Sequence, residues 1–196
     1  MVAPLSVPAL TLPLTTRRLH IRDYIVGDAP TVFAYVNDAA YWQHQRAEPP
    51  GAEQIDALIK WVVNEQATKP RLAYFLAATR KDTGEIVGEA VLKITNPVDR
   101  QGEIGFGVAP RFWKQGFATE IVGAVLDAAF SQLKLHRVSG QCSPDNKGSV
   151  RAMQKAGMAR EGLLRDLHYT RGKWWSTLIY GVLDHEYAKI RSLTQR

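Results

Sequence analysis

The chain has 196 residues, 45% of them hydrophobic and 22% charged. That is one domain's worth of sequence with enough apolar residues to bury a core, which excludes wholesale disorder. The net charge of +6 favours an acidic partner such as a polyphosphate or an anionic surface, but no run of Lys and Arg is long enough to act as a nucleic-acid arm, so nucleic acid is not the expected partner.

Cys142 is the only cysteine, so no disulfide can form within the chain, and a reducing compartment fits. Residues 1–13 are apolar but lack a basic start and carry Pro4, Pro8 and Pro13. They read as a flexible leader rather than a signal peptide, with the domain spanning 14–190. No apolar stretch approaches the ~20 residues that span a bilayer, so no membrane partner is expected and the cytoplasm is the default location.

Residues 14–25 alternate Leu19, Ile21 and Ile25 with polar residues, which predicts a first strand. Asp28 and Pro30 predict the start of a short helix running towards Asn37. Residues 42–51 read as a loop. Ile55, Leu58, Ile59 and Val62 share one helical face, so 53–67 is predicted as an amphipathic helix. Two strands, 72–79 and 85–94, flank the turn Lys81-Asp82-Thr83-Gly84, and a third follows at 102–109. Then the apolar period changes to three and four residues, predicting a long helix over 115–133. A strand at 137–142, a short helix from Asn146 to Ala156 stopped by Gly157, a hairpin of 161–169 and 174–183, and a helical tail complete the pattern. The order is β-α-α-β-β-β-α-β-α-β-β without a linker or repeat. It predicts one α/β domain of the α+β type, with a mixed, mostly antiparallel sheet of about seven strands flanked by about four helices.

The most informative segment is the strand, loop and helix start from Glu103 to Glu120. A helix N-terminus leaves N–H groups unpaired and carries partial positive charge, so a phosphate can be seated there. Gly116 and Ala118 permit close backbone approach, and Arg111 and Lys114 add charge. Walker A spacing is absent, and Pro110 stands where a dinucleotide fingerprint would need its third glycine. Local physics alone leaves two readings open: an anion site, or a small-residue turn that lets helix and strand pack.

The segment resembles motif A of the GNAT family of N-acetyltransferases, written Gln/Arg-x-x-Gly-x-Gly/Ala. Gly116 and Ala118 match, and Trp113 stands in the Gln/Arg place. Trp113-Lys114-Gln115-Gly116-Phe117-Ala118-Thr119-Glu120 is similar to the RimJ/RimL branch, which acetylates ribosomal-protein N-termini. Thr16-Arg17-Arg18-Leu19-His20-Ile21-Arg22 resembles that branch's first strand, and Asn146-Lys147-Gly148-Ser149 opens a stretch similar to its Asn-x-x-Ser helix, with Met158 replacing the usual Phe after Gly157.

The resemblance implies acetyl-CoA as co-substrate, no metal, and transfer to a primary amine in a ternary complex. The implied acceptor is a protein or peptide N-terminus; small amines such as aminoglycosides or polyamines are the alternative, and a non-catalytic acyl-CoA sensor the alternative of another class. The implied cofactor-binding residues are Phe106, Gly107, Val108, Arg111, Trp113, Lys114, Gln115, Gly116, Phe117, Ala118, Thr119, Asn146 and Ser149. An amide of Phe106, Gly107 or Val108 would also stabilise the oxyanion. Glu103 is the first candidate base and Glu89, on the neighbouring strand, the second. A tyrosine acid, common in the family, falls on Met153 here, which leaves Ser149 as candidate donor to the leaving thiolate. Tyr35, Trp42, Glu89, Tyr169 and Trp174 are candidates for the acceptor side. Cys142 reads as a structural cysteine, the five histidines have no metal spacing, and Trp174-Trp175 should place one ring in the core. A homodimer formed by the last hairpin and the tail would bury apolar area.

Overall fold

A computed structural model describes residues 7–194. Eight strands form one sheet: β1 (Leu14–Thr15), β2 (Leu19–Asp23), β3 (Ala73–Arg80), β4 (Ile86–Asn96), β5 (Gln101–Val108), β6 (Arg137–Cys142), β7 (Ala159–Thr170) and β8 (Lys173–Leu183). Their spatial order is β1-β2-β3-β4-β5-β6-β8-β7. Every neighbouring pair is antiparallel except β5 and β6, joined by a helical crossover. The helices are α1 (Ala29–Val36), α2 (Ala39–Trp42), α3 (Ala52–Glu65), α4 (Phe117–Ser131), α5 (Lys147–Lys155) and α6 (Asp184–Thr194).

The sheet separates two layers. Ala90, Leu92 and Ile104 are buried on the face covered by α4, whose Ile121, Val122, Val125 and Leu126 are almost fully buried. The opposite face carries α1 and α3. In α3 the stripe Ile55, Ile59 and Val62 is buried, as its period predicts. Leu58, predicted on the same face, is about half exposed beside Trp61, because the buried stripe is narrower than the sequence suggests.

The expected fold class stands, with eight strands instead of about seven and six α-helices instead of about four among the described residues. The extra strand arises because residues 14–25 do not run straight. Thr16 closes a turn, its N–H bonding to the Leu19 carbonyl, which folds β1 back on β2. The extra helices are α6, expected as the helical tail, and the single turn α2, which Asp38 caps by accepting from the Ala40 N–H at 2.9 Å. Asp28 does not cap α1 through its side chain. Its carboxylate takes a bidentate bond from Arg22, at 2.7 and 2.9 Å, and accepts the Ile25 N–H.

Of the segment expected as a leader, residues 1–6 lie outside the described residues. Val7, Leu10 and Leu12 rest on the core, and the Leu10 N–H bonds to the Tyr74 hydroxyl at 3.2 Å. Among the described residues no helix is long and apolar enough to cross a membrane. Strand β7 is an edge and is exposed along most of its length, Leu163, Leu164 and Leu167 included.

Candidate active site

The two parallel strands part company halfway along. Residues Gln101, Gly102, Glu103 and Ile104 of β5 pair with Arg137, Val138, Ser139 and Gly140 of β6, and there the ladder ends. Beyond it β5 continues on β4 alone, while β6 continues on β8 to Cys142. A wedge opens between residues 105–108 and 141–142. The Ala109 N–H bonds to the Val87 carbonyl, which makes Glu89–Gly107 a hydrogen-bonded rung of the β4–β5 ladder. The N–H groups of Phe106 and Val108 therefore turn away from β4, towards the wedge. The Val108 carbonyl turns the same way and accepts the indole N–H of Trp113 at 2.6 Å. Of the three candidate amide donors, Gly107 is the one committed to β4.

Because β5 and β6 are parallel, the helices that follow them both start at the mouth of this wedge. The α4 start is a backbone nest. Lys114 and Gly116 have positive φ, 62° and 83°. Gly116 is the N-cap and holds a left-handed conformation that a side chain would strain. The nest is fixed from the β1–β2 turn. Arg18 donates to Glu120 at 2.7 Å and to the Gln115 carbonyl at 3.0 Å, and its guanidinium lies 4.1 Å from the centroid of the Phe117 ring. The Thr16 hydroxyl and the Arg18 N–H also bond to Glu120. Burial pushes the Glu120 pKa up, but these bonds outweigh it and hold the carboxyl below its ordinary value. Arg111 pairs with Glu85 at 2.6 Å, whereas Lys114 is exposed and has no partner among the described residues. The Gln115 side chain bonds back to the Arg111 carbonyl, and Ala118 and Thr119 lie in the first turn of α4, half-buried. Trp113 spends its polar atom on Val108, which ties the loop to the end of β5.

At the α5 start, Asn146 caps the helix by accepting the Ser149 N–H at 3.0 Å. The Asn146 NH2 and the Ser149 hydroxyl have no partner among the described residues and remain available as donors. Met153 is fully buried in the core, as a thioether suits. Cys142 is half-buried, and burial raises its thiol pKa to about 11, so little thiolate exists near neutrality.

On the opposite face, Glu89 stands across the ladder from Gly107. Its carboxylate accepts the hydroxyls of both Tyr35 and Tyr41, one on each oxygen. Tyr24 is buried beside them. Desolvation is the largest influence on Glu89 and raises its pKa, while the two tyrosine bonds oppose it. Burial also raises Tyr24, Tyr35 and Tyr41, so all three stay protonated donors. The residue borders solvent, yet its carboxylate is desolvated; this is a group poised to take a proton at a pH above that of an ordinary glutamate. Glu103 lies four residues back along β5, in the closed part of the sheet between Lys93 and Ser139.

The remaining acceptor-side candidates gather at the tip of the β7–β8 hairpin. Tyr169 and Trp174 are exposed, their ring centroids 5.2 Å apart, and Trp175 is the ring that enters the core. The tip reaches the loop after α2: Thr170 donates to the Arg46 carbonyl, and Arg171 to the carbonyls of Trp42 and Gln45. Tyr41 is not among the residues the sequence singles out, since a lone tyrosine before a loop gives no periodic signal. A cavity of about 750 Å³ lies elsewhere, between residues 11–17, α4 and α6. Among the described residues no cluster of His, Cys, Asp and Glu could hold a metal ion.

Comparison with known proteins places this geometry. Residues 18–159 match the family described as Acetyltransferase (GNAT) domain. The Bacillus subtilis "Uncharacterized N-acetyltransferase YoaA" is 29% identical over 171 residues, 87% of this chain and 96% of that protein. A Bacillus anthracis GNAT-family acetyltransferase superposes with a TM-score of 0.78 at 24% identity, covering 88% of this chain and 98% of its own. The spermidine N-acetyltransferase of Vibrio cholerae, solved in complex with CoA and spermine, has a TM-score of 0.76 at 19% identity, covering 88% and 99%. The chain belongs to the GNAT acetyltransferase family and is an acyltransferase that uses acetyl-CoA.

Proposed function

We propose that the protein transfers acetyl from acetyl-CoA to the N-terminal amine of a protein or peptide, in the manner of the RimJ/RimL branch. The pyrophosphate sits on the amides of residues 114–119, beside Lys114 and Arg111. The pantetheine arm lies in the wedge as an added strand on β5. The thioester oxygen is met by the N–H of Phe106 or Val108, which stabilises the oxyanion formed on attack. A new C–N bond forms, the C–S bond breaks, and the amine proton passes to Glu89, directly or through a water. Ser149 supports the departing thiolate with a hydrogen bond. The observation that carries this reading is the pairing of a wedge holding two inward amides with a desolvated carboxylate on the rung between them.

Glu89, rather than Glu103, is the preferred base, because only Glu89 is desolvated at the level of the wedge. An N-terminal amine suits such a base. With a pKa near ~7.8 it is roughly a tenth neutral at pH 7, whereas lysine at ~10.4 is about 0.04% neutral. A second reading, a small polyamine as acceptor, is favoured by the likeness to the spermidine enzyme and by a carboxylate that would also attract an ammonium group. The two separate in one assay. Acetyl-CoA is offered with a free peptide, the same peptide blocked at its N-terminus, and spermidine, and products are read by mass spectrometry. Acetylation of the free peptide alone is expected; product from spermidine alone would replace this reading with the second.

A further inference from the structure

The hairpin tip is bonded to main-chain carbonyls of a segment 124 to 129 residues away in sequence. Arg171 Nη1 donates to the Trp42 carbonyl at 2.9 Å and to the Gln45 carbonyl at 3.0 Å, and its Nε lies 3.7 Å from Glu48. Thr170 adds a bond to the Arg46 carbonyl at 3.1 Å. One side chain thus gathers both ends of a four-residue stretch. The backbone presents it from a tight turn, in which Arg171 and Gly172 hold positive φ, 52° and 71°.

What Arg171 grips is next to the site. Trp42 follows Tyr41 directly, and α2 is a single turn with no buried residue. So short a helix is not stable by itself. It is held inward by the Trp42 indole bonding to the Val36 carbonyl, by edge contacts of Tyr41 with Tyr35 and Trp42, each at 5.5 Å, and outward by the grip of Arg171. Tyr41 in turn closes one side of Glu89.

We propose that Arg171 is a positioning residue for acetyl transfer: by holding the carbonyls of Trp42 and Gln45, it keeps α2 seated and Tyr41 on the Glu89 carboxylate. This rests on Glu89 being the base. Without the grip, α2 loosens and water reaches Glu89. The water replaces the Tyr41 hydrogen bond and relieves the desolvation, so the carboxylate loses its proton at lower pH. Removing only the Tyr41 hydroxyl acts the other way, because it takes a stabilising bond from the carboxylate without opening the site. The groups facing Glu89 are Tyr24, Tyr35 and Tyr41, all protonated through the working range, so the shift reports Glu89.

The test is the pH dependence of kcat for Arg171→Ala, Arg171→Lys, Tyr41→Phe and Glu89→Gln. Hydrogen exchange of residues 41–48 is measured in parallel. Arg171→Ala is expected to lower kcat about tenfold with the KM for acetyl-CoA within twofold. Its acidic limb should move to lower pH, and exchange at 41–48 should speed up. Arg171→Lys, which keeps a cation able to reach a carbonyl, should fall between it and the unmodified protein. Tyr41→Phe should move the limb to higher pH. A pH profile and exchange pattern unchanged in Arg171→Ala, with the limb absent in Glu89→Gln, would overturn the role of Arg171 alone. A limb that survives in Glu89→Gln would overturn the base assignment, and with it the route by which Arg171 acts.

Discussion

The Glu89 carboxylate occupies the space where a side chain at Gly107 would begin. The two residues face each other across the β4–β5 ladder, and a Cβ at Gly107 would overlap both the carboxylate and the Tyr41 hydroxyl. The glycine therefore sets the position of the desolvated acid on the sheet face that meets α1 and α2, while its neighbours Phe106 and Val108 point their amides the other way, into the wedge.

Gly107→Ala should show what that space does. The added methyl must displace Glu89 and Tyr41 or push β5 away from β4. Overpacking of this kind costs about 1–3 kcal/mol. We expect a lower melting temperature together with a fall in kcat of about tenfold or more, measured by thermal denaturation and thiol release. A change in stability with full activity would separate Gly107 from the site.

Glu89 itself should stabilise the fold less than its neutral replacement does. Its folded pKa is raised, so its contribution is most favourable below the unfolded value and is lost as pH rises through the folded value. Above the folded value the carboxylate is charged where it is desolvated. Glu89→Gln is expected to melt no lower than the unmodified protein at pH 8, and the difference should shrink towards pH 4. Melting curves at a series of pH values check the sign.

Glu120 has the opposite sign. Bonds from Thr16 and Arg18 hold its folded pKa below the ordinary value, so its stability is present at neutral pH and lost as pH falls through that folded value. Glu120→Gln should flatten the acid end of the stability curve. Because Arg18 also fixes the Gln115 carbonyl, we expect Arg18→Ala to raise the dissociation constant for CoA about tenfold, read by calorimetry, with a smaller effect on the acceptor KM.

Two residues near the wedge should differ in kind. Ser149→Ala is expected to slow acetyl transfer several-fold and leave CoA affinity within about twofold, because its hydroxyl is free to donate. Cys142→Ser should keep most of the activity, since a thiol with a pKa of about 11 cannot serve as an acetyl carrier near pH 7. Burst kinetics with an acetylated Cys142 would contradict this.

The fold is legible in the sequence because its signals are local and periodic. The alternation in β3, β4 and β5 and the three-and-four spacing of α4 each report a buried face. The helix starts on which the proposed donor side rests are legible through Gly116 and the Asn146 cap. The proposed acceptor side is only partly so. Tyr35 and Glu89 both stand out as candidates, but nothing in sequence joins residues 54 positions apart. Arg171 is invisible because its hydrogen-bond partners are main-chain carbonyls, which every residue has. Trp113 reads from its place in the motif as a ligand-binding residue, and its bond to Val108 shows a bracing role that side-chain identity does not disclose.

The most direct test compares Glu89→Gln and Glu103→Gln in the same assay, with saturating acetyl-CoA and a peptide bearing a free N-terminus at pH 7. A general base contributes on the order of 10²–10⁴ in rate. Thiol release is expected to fall about 100-fold in Glu89→Gln and to stay within about threefold in Glu103→Gln, with CoA bound equally by both. A collapse confined to Glu103→Gln would contradict the assignment of Glu89 and move the chemistry to the closed part of the sheet.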